Sequence, residues 1–136
     1  MNTDEIPFPN PIYSTDQMRE IEAQAARMLS PPPLMARAGL AAAEIARDLS
    51  PDDGSSILVL AGPGNNGGDA FIAATQLKAW WYKVVVVYIG CPDQLSADAR
   101  AAYQAWIDAG GACLDAIPAH SRWGLVIDGL FGIGLT

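Results

Sequence analysis

Residues 57–69 read ILVLAGPGNNGGD, and the join between the two halves of this stretch decides the fold. Ile57-Leu58-Val59-Leu60-Ala61 is a short unbroken apolar run, the pattern of a strand buried on both faces of a parallel sheet. Gly62-Pro63-Gly64-Asn65-Asn66-Gly67-Gly68 then turns the chain, and a helix is expected from about Asp69 to Trp80 with Ala73, Leu77 and Trp80 on one side. Glycines let a backbone approach a ligand closely. The helix start offers N–H groups without partners and a partial positive charge, so a strand–glycine turn–helix unit suits an anionic ligand.

Working outward, Lys83 to Ile89 (KVVVVYI) predicts a second buried strand, followed by a helix near Ser96 to Ala109 that Gly110-Gly111 ends. A weak strand is expected around Ala112 to Ala116 and a stronger one at Leu125-Val126-Ile127-Asp128. Strands alternating with helices imply right-handed crossovers, an α/β fold and a mainly parallel sheet. The common strand order 3-2-1-4 would set the fourth strand beside the first. The turn opening with Asp128 would then face the Gly62–Asp69 turn at the switch point where open sheets bind ligands.

Upstream, residues 1–12 form a Pro-rich arm. Ser14 with Gln17 three residues on is a capping box that starts a helix near Thr15, with a stripe of Met18, Ile21, Ala25, Met28 and Leu29. Ser30-Pro31-Pro32-Pro33 breaks it. A second helix carries Leu34, Ala38, Ala41, Ile45 and Leu49 on its expected apolar face, and Gly39 inside it points to a close backbone contact. The chain stops at Gly134-Leu135-Thr136, right after a glycine-rich turn and with no helix to cover the last strand, so a fragment is expected.

The 136 residues hold one core, with 51% apolar and 17% charged residues as in ordinary globular chains. No apolar stretch approaches membrane-spanning length, and no basic start with an apolar core suggests secretion, so a cytoplasmic location is expected. The net charge of −7, with two lysines (Lys78, Lys83), argues against nucleic-acid or anionic-membrane partners. Cys91 and Cys113 lack metal spacing and read as small buried hydrophobes. His120 reads as a solvated loop residue, and Trp80, Trp81 and Tyr82 as helix-to-sheet packing.

The turn lacks the Gly-Lys-Ser/Thr of a phosphate-binding loop for phosphoryl transfer. Gly62, Gly64 and Gly67 fit G-x-G-x-x-G, yet the second strand ends Tyr88-Ile89-Gly90-Cys91 without the acid that holds ribose hydroxyls in ordinary dinucleotide folds. Asp69 would repel phosphate from a helix first turn and is better suited to accept ligand hydroxyls or organise a cation. Asn65 and Asn66 supply amide groups for sugar, amide or hard-cation contacts, and Asp128 would project toward Asn66 as part of an oxygen cage.

Leu34-Met35-Ala36-Arg37-Ala38-Gly39, then Gly62 to Asp69, then Asp128-Gly129-Leu130-Phe131-Gly132-Ile133-Gly134-Leu135, in this order, resemble the NAD(P)H-hydrate epimerase family, the YjeF N-terminal domain. The resemblance covers nearly all of residues 12–136, and would make 13–136 an incomplete domain of that kind. It implies a Rossmann-like three-layer α/β/α sandwich and interconversion of the R and S forms of NADHX and NADPHX, the hydrated nicotinamide nucleotides. It implies hydrate binding by Asn65, Asn66, Gly67, Gly68 and Asp69, and by Gly132, Ile133, Gly134, Leu135 and Thr136. Asn66 and Asp128 would hold a potassium ion, and Asp69 is the candidate acid/base. It also implies a fused or separate ADP- or ATP-dependent dehydratase, and leaves a homo-oligomer open. Ala36, Ala70 and Ile133 stand where the family usually has Glu, Gly and Thr, and the family's later Asp and potassium-binding Ser fall beyond Thr136. A non-catalytic nucleotide-binding or scaffold domain of the same fold is the alternative; a general nucleotide-dependent oxidoreductase is set back by the missing acid after strand two.

Overall fold

The computed structural model describes residues 11–119 and 121–134. The first ten residues of the expected arm, His120, Leu135 and Thr136 lie outside the described residues. The chain divides into two compact units, Met1–Pro32 and Pro33–Thr136.

In the first unit, helix α1 spans Thr15–Ala26. Its capping box forms as the sequence predicts: the Gln17 N–H donates to Ser14 Oγ at 3.2 Å, and the Ser14 N–H donates to Gln17 Oε1 at 2.8 Å. The helix ends before Met28 and Leu29, which were expected on its apolar stripe and are instead exposed.

The second unit is an α/β fold. Its elements run α2 (Leu34–Leu49), β1 (Ser56–Ala61), α3 (Asn65–Ala79), β2 (Val84–Tyr88), a short 3₁₀ turn at Pro92–Gln94, α4 (Ala97–Asp108), β3 (Cys113–Leu114) and β4 (Trp123–Gly129). All pairings are parallel, in the order β3-β2-β1-β4. β1 is thus central, because its apolar run can be buried from both sides, and Leu60 and Ala61 pair with Asp128 and Gly129 of β4. That register brings the ends of β1 and β4 level.

Ile57, Val59 and Ala61 of β1 and Val86 of β2 form the core with Ala43 and Ala46 of α2, Phe71, Ala73, Ala74 and Leu77 of α3, and Ala102 and Trp106 of α4. Phe71, Tyr88 and Tyr103 meet edge to face or tilted, with centroids 5.3–5.8 Å apart. The expected face of α2 is corrected. Leu34, Ala38, Ala41, Ile45 and Leu49 are exposed, and the buried side is Gly39, Ala43 and Ala46. Bulk suggested one stripe, but close approach to α3 selected the one made of small residues. A Cβ on Gly39 would collide with Ile72, so the close contact expected at this glycine is present.

Two further expectations are corrected. α3 starts at Asn65, four residues before Asp69, so the Gly67-Gly68 pair is helical and Asp69 lies in the second turn rather than the first. Cys91 is exposed, in the turn before the 3₁₀ segment, while Cys113 is half-buried; both are free thiols. Among the described residues no helix is long and apolar enough to cross a membrane.

Candidate functional site

At the carboxyl end of the sheet the glycine turn and the turn after β4 are in direct contact. The Gly62 N–H donates to the Gly129 carbonyl at 2.9 Å. A Cβ on Gly62 would collide with the Leu130 carbonyl oxygen, and one on Gly67 with the carbonyl oxygen of Gly62. These glycines are required by the narrowness of the gap between strand ends and helix start. Gly68 faces the other way, where a Cβ would lie 2.6 Å from Met35 Sδ and 3.1 Å from Ala99 Cα, at the junction of α2, α3 and α4. Both glycines sit inside the helix for packing reasons, which explains why a glycine pair did not break it.

Gly64 caps α3 in extended conformation and provides no side-chain cap. The first-turn N–H groups of a helix have no intrahelical partner, and the space a Cβ would take at Gly64 is open to 4 Å. The start of α3 therefore presents donors to an accessible edge of the sheet, with the positive end of its dipole behind them.

Two asparagines anchor this start on either side. Asn66, half-buried, donates through Nδ2 to the Phe131 carbonyl at 2.9 Å, and Gly132 passes close enough that its Cβ would lie 3.4 Å from Asn66 Cβ. Asn65, exposed, accepts through Oδ1 from Ser96 Oγ at 2.9 Å. Ser96 is also the N-cap of α4, its Oγ accepting from the Ala99 N–H at 3.3 Å. The starts of α3 and α4 are thereby joined side by side. Sequence reasoning found the Ser96 helix start but not its link to Asn65, because the pair is 31 residues apart and no local pattern announces it.

Asp128, at the end of β4, has an exposed side chain whose Oδ1 accepts from the Leu130 N–H at 3.1 Å. Asn66 and Asp128 therefore both shape the turn Gly129–Gly132, each through its own bond to main chain. Asp69 is half-buried one turn further along α3. Ala70 abuts Gly129, whose Cβ would lie 2.5 Å from Ala70 Cβ, so the methyl group at 70 is accommodated by the glycine opposite. Ile133 and Gly134 are exposed, while Ala36 lies exposed on α2.

Beside the N–H donors of the helix start, the side-chain oxygens here are the Asn66 amide oxygen, left over once Nδ2 donates to Phe131, and the second Asp128 carboxylate oxygen. No group of three His, Cys, Asp or Glu occurs among the described residues that could hold a metal in a side-chain cage. The donor set fits a hard cation with oxygen ligands and does not fit a thiophilic metal.

At the end of β2, Tyr88 is half-buried and its hydroxyl is buried without a hydrogen-bond partner. Burial pushes the phenol pKa above its ordinary value, with smaller contributions from Cys91, Tyr103 and Cys113.

A family model described as "YjeF-related protein N-terminus" matches residues 32–136. A curated NAD(P)H-hydrate epimerase of Bordetella pertussis is 51% identical over 125 residues, covering 92% of this chain and 53% of the relative. The bifunctional NAD(P)H-hydrate repair enzyme Nnr of Escherichia coli is 33% identical, over 99% of this chain and 27% of the relative. The chain thus spans about half the length of the epimerase. Among solved structures, that of yeast ynu0 superposes with a TM-score of 0.64 at 23% identity, covering 86% of this chain and 56% of that one, a likeness of fold.

Proposed function

Because the chain belongs to the family of YjeF-related protein N-termini, we propose that it carries the nucleotide-binding edge of an NAD(P)H-hydrate epimerase, interconverting the R and S forms of NADHX and NADPHX. The observation that carries this reading is the Asn66–Phe131 bond, which fastens an uncapped helix start to the turn after β4 over one shared edge. The high identity to curated epimerases across nearly the whole chain supports it.

In this reading the N–H groups of Asn65, Asn66 and Gly67 hold the pyrophosphate, since an anion is stabilised at a helix start, while the Gly68 N–H donates to the Gly64 carbonyl at 3.3 Å and lines the turn through its main chain. Gly132, Ile133, Gly134, Leu135 and Thr136 flank the ribose. Asn66 and Asp128 hold potassium through oxygen, which the donor set fits. The ion would supply fixed positive charge that keeps both turns in place. Inversion at the hydrated carbon needs a group that takes and returns a proton. Asp69, half-buried next to the binding turn, is the candidate within this chain. Residues 13–136 are assigned to the family's domain and 1–12 to an N-terminal arm; the family model's match over 32–136 supports the larger part of that assignment. An ADP- or ATP-dependent dehydratase, fused or separate, would consume the epimer; the bifunctional name of the Escherichia coli relative supports such a pairing. The two free thiols fit action in the reducing cytoplasm.

The test is to incubate (R)-NADPHX with this chain and follow the S epimer, in potassium and in a large organic cation. Faster appearance of the S form that requires potassium supports the reading. Because the family's later Asp and potassium-binding Ser fall beyond Thr136, a longer form that includes them is assayed beside this chain. If nucleotide binds but neither accelerates the exchange, the protein is a non-catalytic nucleotide-binding or scaffold domain.

A further inference from the structure

The nucleotide edge extends past β1 toward β2, which lies on the side away from β4. If the hydrated ring sits by Asp69 and Asp128, the adenosine half of the dinucleotide reaches the end of β2. In dinucleotide folds an acid there grips the ribose 2′-hydroxyl, and the same acid would repel a 2′-phosphate; an arginine nearby accommodates that phosphate instead. Here β2 ends in Tyr88-Ile89-Gly90-Cys91, with Ile89 and Cys91 exposed and no carboxylate among the four.

The first basic residue after β2 is Arg100, on α4. It folds back toward the strand end, its Nη2 donating to the Asp93 main-chain oxygen at 2.6 Å. That bond fixes the guanidinium beside the 3₁₀ turn that follows β2, and uses one of its five N–H donors. Among the described residues no ion pair neutralises Arg100. Its side chain is exposed, and its helix begins at Ser96, the residue tied to Asn65 at the start of α3. Arg100 is thus a cation held in place by main chain, next to the pyrophosphate-binding edge, at a strand end lacking the usual acid.

We propose that Arg100 reads the 2′-phosphate of the adenosine ribose, so that the phosphorylated hydrate, NADPHX, is preferred over NADHX. This rests on the nucleotide reading above and goes further, by assigning the residue that discriminates between the two substrates. A planar guanidinium already held by one bond can offer its remaining edge to phosphate oxygens.

The test compares adenosine 2′,5′-bisphosphate with 5′-AMP as probes, by titration calorimetry on the intact chain. The bisphosphate binds roughly tenfold or more tightly than AMP. Arg100→Gln brings the ratio close to one, and Arg100→Lys keeps part of it. Arg122→Gln, at the amino end of β4, leaves the ratio unchanged. A parent ratio near one, or a ratio that survives Arg100→Gln, overturns the proposal and spares the nucleotide reading. Failure of both probes to bind overturns the proposal and the nucleotide reading together.

Discussion

The Asn66 side-chain amide donates to the Phe131 carbonyl at 2.9 Å, joining the first turn of α3 to the turn after β4 across 65 residues of sequence. Because that bond orients the amide, it also fixes where the Asn66 oxygen points.

Asn66→Ala removes the bond and the oxygen together. A partly exposed hydrogen bond contributes about 1 kcal/mol, so the unfolding free energy falls by about that much in urea titration. Potassium should matter more. The parent melts at a higher temperature in potassium than in a large organic cation, since an ion bound only by the native state stabilises it by mass action. Asn66→Ala and Asp128→Asn abolish that difference. An equal potassium effect in parent and variants would remove both residues from the ion site.

Much of this edge was legible in the sequence. The apolar run Ile57–Ala61 and the β-branched run after Lys83 announce buried parallel strands, and crossover handedness then leaves few orders, among them the observed one. The contact between the two turns follows from that order. The start of α3 was not legible, because Gly67-Gly68 looks like loop until their neighbours are known; both glycines are forced by atoms from Gly62, Met35 and Ala99. The buried face of α2 is hidden from the sequence for a related reason. Side-chain bulk favoured Ile45 and Leu49, whereas close helix approach favours Gly39, Ala43 and Ala46. The Ser96–Asn65 bond exists only in three dimensions.

Gly62 and Gly64 should respond differently to an added methyl group. Gly62→Ala drives a methyl group into the Leu130 carbonyl, a rigid main-chain obstacle, and costs about 3 kcal/mol or more by denaturant unfolding. Gly64→Ala meets open space at φ −103°, so stability changes by no more than about 0.5 kcal/mol. The methyl group instead occupies the uncapped helix start, and nucleotide binding weakens. Equal destabilisation by both substitutions would contradict the close approach at Gly62.

Helices α3 and α4 end in the same motif with different residues. After α4, the Gly110 N–H donates to the Ile107 carbonyl and the Gly111 N–H to the Trp106 carbonyl, with Gly110 at φ 79°. After α3, the Trp81 N–H donates to Lys78 and the Tyr82 N–H to Leu77, with Trp81 at φ 69° and 94% exposed. Left-handed backbone costs a residue with a Cβ about 1–2 kcal/mol, and Trp81 gains little packing in exchange. Trp81→Gly therefore stabilises the chain by about 0.5–1 kcal/mol after the added flexibility of glycine is subtracted. A loss of stability in thermal and urea unfolding would mean that the indole makes a contact its exposure does not suggest.

Tyr88→Phe tests the orphaned hydroxyl at the end of β2. Burying a hydroxyl without a partner is unfavourable, so its removal from beneath Gly90 is neutral or stabilising by up to about 1 kcal/mol near neutral pH. The alkaline limb is more diagnostic. Burial raises the Tyr88 pKa above 10.0, so the folded chain holds this proton after the unfolded chain has lost it. The resulting stabilisation is complete below about pH 10 and is lost as pH rises through the folded value. Burial raises Cys113 above 9.0 with the same sign, so the parent begins to lose stability near that lower pH. Urea midpoints followed from about pH 8 to about pH 11 should decline less steeply in Tyr88→Phe than in the parent, the remaining slope including the Cys113 contribution. Superimposable profiles would mean that the phenol ionises as readily in the folded chain as in the unfolded one, and that water reaches the hydroxyl beneath Gly90.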